Sequence, residues 1–228
     1  MARNPRYGTP AAAHGRAMTL ETWLAFFAAS WLISLSPGPG AISCMAAGLR
    51  HGFRTAFWNI VGLILGIMFV LVIVAVGLGA ILAASSTAFA VVKWLGVAYL
   101  VWLGIEQWRA PAFAVDAKAA EAALPVLPRE LVLKGFLVNA TNPKGIVFML
   151  AVLPQFIDPS RPLGLQYAIC GATLVFTDLV VMSGYTGFAS RVLRLLREPH
   201  HIKALNRTFG GLFVAAGVAL ATFKRGSP

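Results

Sequence analysis

Six apolar runs, at residues 20–48, 56–83, 88–107, 132–156, 163–190 and 206–223, alternate with short charged segments along the chain. Each approaches the ~20 apolar residues that a helix needs to cross a bilayer, so the pattern predicts six membrane-spanning helices. The last run is short and relies on Arg207 and Lys224 reaching the interfaces. No charge occurs over the 38 residues from Thr55 to Val92, too long for one span. Ser85-Ser86-Thr87 supplies the polar turn where this stretch folds back, and Lys93 marks the interface just inside the third span. Residues 108–131 carry Pro111, Pro125 and Pro128 among mixed charges and read as a linker between two halves, 18–107 and 132–228. Residues 1–17 hold Arg3, Arg6 and Arg16 without an apolar pattern and are expected to be a disordered tail. The run behind that tail is longer than the apolar region of a cleaved signal peptide and is expected to stay in the mature chain. Met18, just ahead of the abrupt start of the first span, is an alternative start.

Two of the six runs cannot be unbroken helices. Ser36-Pro37-Gly38-Pro39-Gly40 interrupts the first, and Asn142-Pro143-Lys144-Gly145 the fourth. Each proline removes a backbone donor and its ring clashes with the preceding turn, while glycine adds backbone freedom. In hydrocarbon the freed backbone groups cost several kcal/mol each, so a break is tolerated only where protein or a water-lined cavity satisfies them. The breaks correspond: Pro37 and Pro143 lie 106 positions apart, and the same offset carries the segment 57–83 onto 163–189. Interrupted hydrophobic segments at matching places in two halves point to a transporter's substrate site. The expected fold is therefore an all-α integral membrane protein, with six transmembrane helices as two inverted three-helix repeats and helices 1 and 4 broken. The expected substrate site comprises Ser36, Pro37, Gly38, Pro39, Gly40, Asn139, Asn142, Pro143 and Lys144, with Ser34, Ser43 and Thr141 as further polar groups beside the breaks. Gly62 and Gly66 form a small-residue pair in the second run, and the offset puts Ala168 and Ala172 at the matching places in the fifth. Such patches join helices within one chain or between the two chains of a homodimer, and spacing alone serves both.

Composition fits this class: 58% of residues are hydrophobic and 12% charged, and the mean hydropathy is +0.77. The net charge of +11 is spread over short loops and builds no basic face with interleaved aromatics, so nucleic acid is not an expected partner. Its distribution sets orientation. Eleven Lys and Arg residues fall on the side of the loops after spans one, three and five, against seven on the other. The positive-inside rule makes the richer side cytoplasmic, with the 108–131 linker inside and both termini outside. Arg191, Arg194 and Arg197 recur there every third residue, a spacing suited to anionic lipid headgroups.

Asp178 is the one acidic residue well inside a run, and Lys144 the one deeply placed base. A charge at a helix centre costs about 2.5–3.5 kcal/mol on insertion scales, so both are expected to face the interior and to pair. Asp178 is the candidate proton-coupling group, with Lys144 and a substrate ammonium competing for its carboxylate; a purely structural ion pair is the alternative role.

The residues resemble a known family. Trp23-Leu24-Ala25-Phe26, Leu35-Ser36-Pro37-Gly38-Pro39 and Gly48-Leu49-Arg50-His51-Gly52 are similar to the first span of lysine-exporter-type amino-acid exporters, the LysE and homoserine/threonine-exporter group. Lys93-Trp94-Leu95-Gly96 with Tyr99-Leu100-Val101-Trp102-Leu103-Gly104 resembles its third span. Gly135-Phe136-Leu137-Val138-Asn139, Asn142-Pro143-Lys144 and Leu153-Pro154-Gln155-Phe156 resemble its fourth, and Asp178, Tyr185 and Arg207-Thr208-Phe209-Gly210-Gly211 its last two. Gly40 and Gly145 depart from it, standing where asparagine and alanine are common. The resemblance implies a small exporter of amino acids in the cytoplasmic (inner) membrane, driven by protons or the membrane potential, with no cofactor, no metal and no catalytic residues. Two other classes share the broken-helix logic. A thiol–disulfide electron carrier would need thiols at equivalent positions, but the offset pairs Cys44 with Leu150 and Cys170 with Ile64. A divalent-metal exporter would need clustered ligands within the spans, but His14, His51, His200 and His201 fall in the tail or loops.

Overall fold

The computed structural model describes residues 18–84, 86–110, 125–189, 191 and 199–222. The 1–17 tail and most of the 108–131 linker lie outside these residues, as do Arg194 and Arg197. The described residues form seven α-helices and one short 3₁₀ turn, with no strand. They are α1 (Leu20–Leu35), α2 (Pro39–Ala84), α3 (Ser86–Arg109), α4 (Pro128–Ala140), α5 (Pro143–Ala151), the 3₁₀ turn Leu153–Phe156, α6 (Leu163–Gly187) and α7 (Pro199–Thr222).

The helix ends follow from local chemistry. Thr19 caps α1 by accepting from the Thr22 amide (3.2 Å), with Glu21 in the first turn against the positive end of the helix. Proline opens α2, α4, α5 and α7, where its missing amide would be unpaired anyway. α2 bends at Gly52, whose φ of 70° and ψ of 168° are disfavoured for any residue with a Cβ. Its arm before Gly52 continues the first apolar run past the break, and its arm after Gly52 is the second run. Asn59 clamps the two arms, accepting from Ser43 Oγ (3.2 Å) and donating to Cys44 Sγ (3.6 Å). α7 begins at Pro199, seven residues before the apolar run, so Arg207 lies within the helix rather than at its start.

Among the described residues, two helical segments are long and apolar enough to cross a membrane, Pro39–Gly77 and Leu163–Gly187. A third such span arises if Pro128–Ala140 and Pro143–Phe156, bent by 52° at their break, are counted together. Leu65, Phe69, Val76, Trp94, Leu95, Leu133, Leu165, Phe176 and Val218 all point outward. An apolar exterior around helices whose backbone is satisfied internally is the mark of a membrane protein.

Inside, α2 packs closely on α4, because Gly62 and Gly66 let the Val132 and Phe136 carbonyls approach, while Gly135 admits the Asn59 carbonyl. These patches join helices within one chain. Their offset counterparts behave differently: Ala168 and Ala172 lie exposed on α6. α1 meets α6 through aromatic contacts instead, with Phe27 6.4 Å and Trp31 6.5 Å from Phe176 between ring centroids. α3 and α7 run antiparallel, Lys93 Nζ reaching the Ala221 carbonyl (3.3 Å) and Gln107 Nε2 reaching Asn206 Oδ1 (2.9 Å). A core of Phe26, Leu100, Phe148, Met149, Leu153, Cys170, Leu174 and Phe213 fills the space between.

Candidate functional site

α1 stops at Leu35 and α2 starts at Pro39; α4 stops at Ala140 and α5 starts at Pro143. The two breaks meet. Lys144, in the first turn of α5, sends its Nζ to the Ser36 carbonyl at the end of α1 (2.8 Å). The neighbouring Leu35 carbonyl accepts from the Tyr185 hydroxyl of α6 (2.8 Å). At the second break, Asn142 caps α5 by accepting from the Lys144 amide (3.1 Å), and Thr141 Oγ1 returns to the Leu137 carbonyl (2.6 Å). Of the carbonyls freed by proline, that of Leu35 is taken up by the Tyr185 side chain and that of Asn139 by the Asn142 amide (3.2 Å), as hydrocarbon requires.

Between the breaks lies a polar cavity of about 50 Å³. Ser34, Ser36, Gly38, Gly40, Asn139, Asn142, Lys144, Gly145 and Asp178 line it, together with an apolar wall of Ile33, Ala41, Leu63, Ile67, Phe148, Leu174 and Met182. The volume holds a few waters and is too small for an amino acid until a side chain moves. Asn139 is fixed by donating to the Leu63 carbonyl (2.7 Å). Ser36 Oγ is buried and has no partner, an exception among buried hydroxyls that a ligand would resolve.

Asp178 accepts from Ser34 Oγ (2.5 Å). The direct Lys144–Asp178 ion pair expected from the sequence is not formed, because the lysine ammonium is held on the Ser36 carbonyl and lies 5.5 Å from the Phe213 ring centroid. The two side chains line one cavity without direct contact.

Of the residues expected at the substrate site, Ser36, Gly38, Gly40, Asn139, Asn142 and Lys144 line the cavity, and Asp178 lines it with them. Pro37, Pro39 and Pro143 are outside the lining: Pro37 lies in the first break, and Pro39 and Pro143 open α2 and α5. Ser43 is spent on Asn59, and Thr141 on its own helix. The residue pattern carries no sign of the apolar wall, since Phe148 and Met182 look like any core residue at helical spacing. It also gave no chemical sign that Tyr185 caps α1.

An apolar-sheathed helical bundle that brings two broken helices together around a polar, charge-bearing cavity has the architecture of a membrane transport protein. Residues 31–223 match the LysE type translocator model, and the chain belongs to that family of transporters, which are not enzymes. A homoserine/homoserine lactone efflux protein of Salmonella typhimurium is 45% identical over 205 residues, covering 90% of this chain and 98% of that protein. An uncharacterized membrane protein of Vibrio cholerae is 40% identical over 207 residues, covering 91% and 100%. A leucine efflux protein of Enterobacter sp. is 29% identical over 208 residues, covering 89% and 96%. No solved structure matches the chain.

Proposed function

We propose that this chain exports small amino acids or close derivatives, of the homoserine type, across the cytoplasmic membrane by proton-coupled alternating access. The observation that carries the proposal is the meeting of both helix breaks at one cavity, where the Lys144 ammonium occupies the end of α1. The names of the relatives support a substrate of homoserine or leucine character.

The chemistry suits a zwitterion. The α1 terminus presents the Leu35 and Ser36 carbonyls, which attract a cation, and the starts of α2 and α5 carry the positive ends of their helix dipoles. Lys144 takes the place of the zwitterion's ammonium on the Ser36 carbonyl. An incoming substrate ammonium displaces it from Ser36, and the freed lysine turns to the substrate carboxylate. Ser36 Oγ and Asn142 then supply hydrogen bonds. Asp178, released from or held by Ser34, takes or gives the coupled proton. Competition is thus centred on the Ser36 carbonyl rather than on Asp178 alone.

The six apolar runs cross as two inverted halves, 18–107 and 132–228, with the 108–131 linker in the cytoplasm and both termini outside. The antiparallel contact of α3 with α7, third helices of the two halves, supports the inversion. Cys44 and Cys170 are buried in different clusters, which weighs against a thiol–disulfide carrier. The test is the metabolite content of medium from overexpressing and deletion cells challenged with homoserine. Overexpression raises external homoserine and deletion lowers it; equal levels in both strains would refute the proposal.

A further inference from the structure

A second cavity, about 470 Å³, lies between α1 and α7. Its walls are Ala25, Ala29, Leu32 and Leu35 of α1 and Phe209, Phe213 and Ala216 of α7, with Phe148 at its floor. The volume falls in the range of ligand sites, roughly 300–1,000 Å³. It opens sideways, since Ala25, Leu35 and Leu212 are exposed on the outer face of the bundle. One polar side chain interrupts this apolar lining. Gln155 is 6% exposed, and its amide nitrogen is buried without a hydrogen-bond partner. A buried donor left unpaired keeps its full desolvation penalty, so the site is incomplete as it stands.

The depth of Gln155 identifies what completes it. Three residues further on, Asp158 pairs with Arg161 (3.1 Å) in an exposed loop, which marks the edge of the membrane. Gln155 therefore sits just beneath the polar interface, where the ester carbonyls of phospholipids lie. From there the cavity runs inward seven residues to Phe148, about 10 Å at 1.5 Å per residue. A carbonyl at the interface followed by an apolar chain directed inward describes an esterified fatty acid. A tail attached to a substrate in the polar cavity would instead place its carbonyl beside Phe148, far from Gln155. We infer that the cavity between α1 and α7 is a phospholipid site, which takes one acyl chain and receives its ester carbonyl on the Gln155 amide. The chain passes over Phe148, which also walls the polar cavity, so the lipid braces the side of the transport site that carries Ser34 and Ser36.

The test uses the full chain reconstituted in phosphatidylethanolamine–phosphatidylglycerol vesicles containing phosphatidylethanolamine with a diazirine midway along one acyl chain. After irradiation, labelled residues are mapped by mass spectrometry. Label is expected to concentrate on Leu35, Phe148 and Phe213 over the outward-facing Phe176 and Leu65. Gln155→Leu should lower labelling of those three residues about fivefold, the effect of one lost hydrogen bond. Ala29→Trp and Ala216→Trp, which fill the cavity from opposite walls, should each reduce it to the level at Phe176, and whichever variant keeps a wild-type melting profile decides the point. Labelling of Phe148 no stronger than of Phe176, or unchanged in Gln155→Leu and in the folded tryptophan variant, overturns the proposal. Displacement of the label by excess homoserine also overturns it, because the cavity would then belong to the substrate.

Discussion

Gly104 and Gly210 face each other across the α3–α7 contact in a reciprocal way: a Cβ on Gly104 would lie 2.6 Å from the Gly210 carbonyl oxygen, and a Cβ on Gly210 would lie 2.6 Å from the Gly104 carbonyl oxygen. The two glycines are 106 positions apart, the same offset that relates Pro37 to Pro143. Reciprocal contact between equivalent positions of antiparallel helices is what a two-fold axis perpendicular to those helices generates. Gly38 and Lys144 share the offset and also meet, since a Cβ on Gly38 would lie 3.7 Å from Lys144 Cδ. Both pairs support the proposed inverted halves.

The glycine pair gives the first prediction. An added methyl at either position meets backbone rather than a flexible side chain, so the helices must separate. Gly104→Ala and Gly210→Ala should each destabilise by about 1–3 kcal/mol, and the double variant by less than the sum, because the helices are already parted. Thermal unfolding in detergent checks both; full additivity would mean that the two glycines are not opposed.

Tyr185→Phe removes the hydroxyl from the Leu35 carbonyl and leaves the ring in place. The expected cost is about 0.5–1.5 kcal/mol, the net worth of one hydrogen bond at an exposed carbonyl. Unchanged stability would mean that water replaces the tyrosine at the end of α1.

Lys144→Met strips the Ser36 carbonyl of its donor while keeping an unbranched apolar side chain. Export should be lost and stability should fall by about 1–3 kcal/mol. Under the displacement mechanism, substrate at saturating concentration restores stability to Lys144→Met more than to the wild type, since its ammonium supplies the missing cation. Equal stabilisation of both proteins by homoserine would contradict that mechanism.

Gly38→Leu fills space beside the Lys144 side chain and blocks close approach of the break. Export should be abolished while membrane insertion is retained, as read by quantitative blotting of the membrane fraction. Normal export would reduce the first break to a simple kink.

Much of this was legible in the sequence because proline and charge act locally. Pro37 and Pro143 dictate where helices stop whatever surrounds them, and the apolar runs locate α1 to α6 to within a few residues. α7 starts ahead of the last apolar run because its first turns mix Ile202, Ala204 and Leu205 with His200, His201, Lys203, Asn206 and Arg207, and only Pro199 signals the start. What sequence could not supply was partner choice across the fold. Asp178 and Lys144 are the two isolated charges and so were paired, yet the lysine binds a backbone carbonyl, a group every residue carries and none advertises. The offset likewise equated Ala168 and Ala172 with Gly62 and Gly66, but the halves are packed unequally: α4 sits on α2 through glycine, and α1 sits on α6 through Phe27, Trp31 and Phe176.

The central claim, that Asp178 ties substrate movement to a proton at the meeting of the two breaks, is tested most directly by homoserine flux in proteoliposomes under an imposed pH gradient. Asp178→Asn keeps an oxygen to accept from Ser34 Oγ and removes the titratable group. The wild type should accumulate homoserine in response to the gradient, whereas Asp178→Asn should exchange homoserine across the membrane without gradient-driven accumulation. Accumulation by Asp178→Asn with the pH dependence of the wild type would contradict the account.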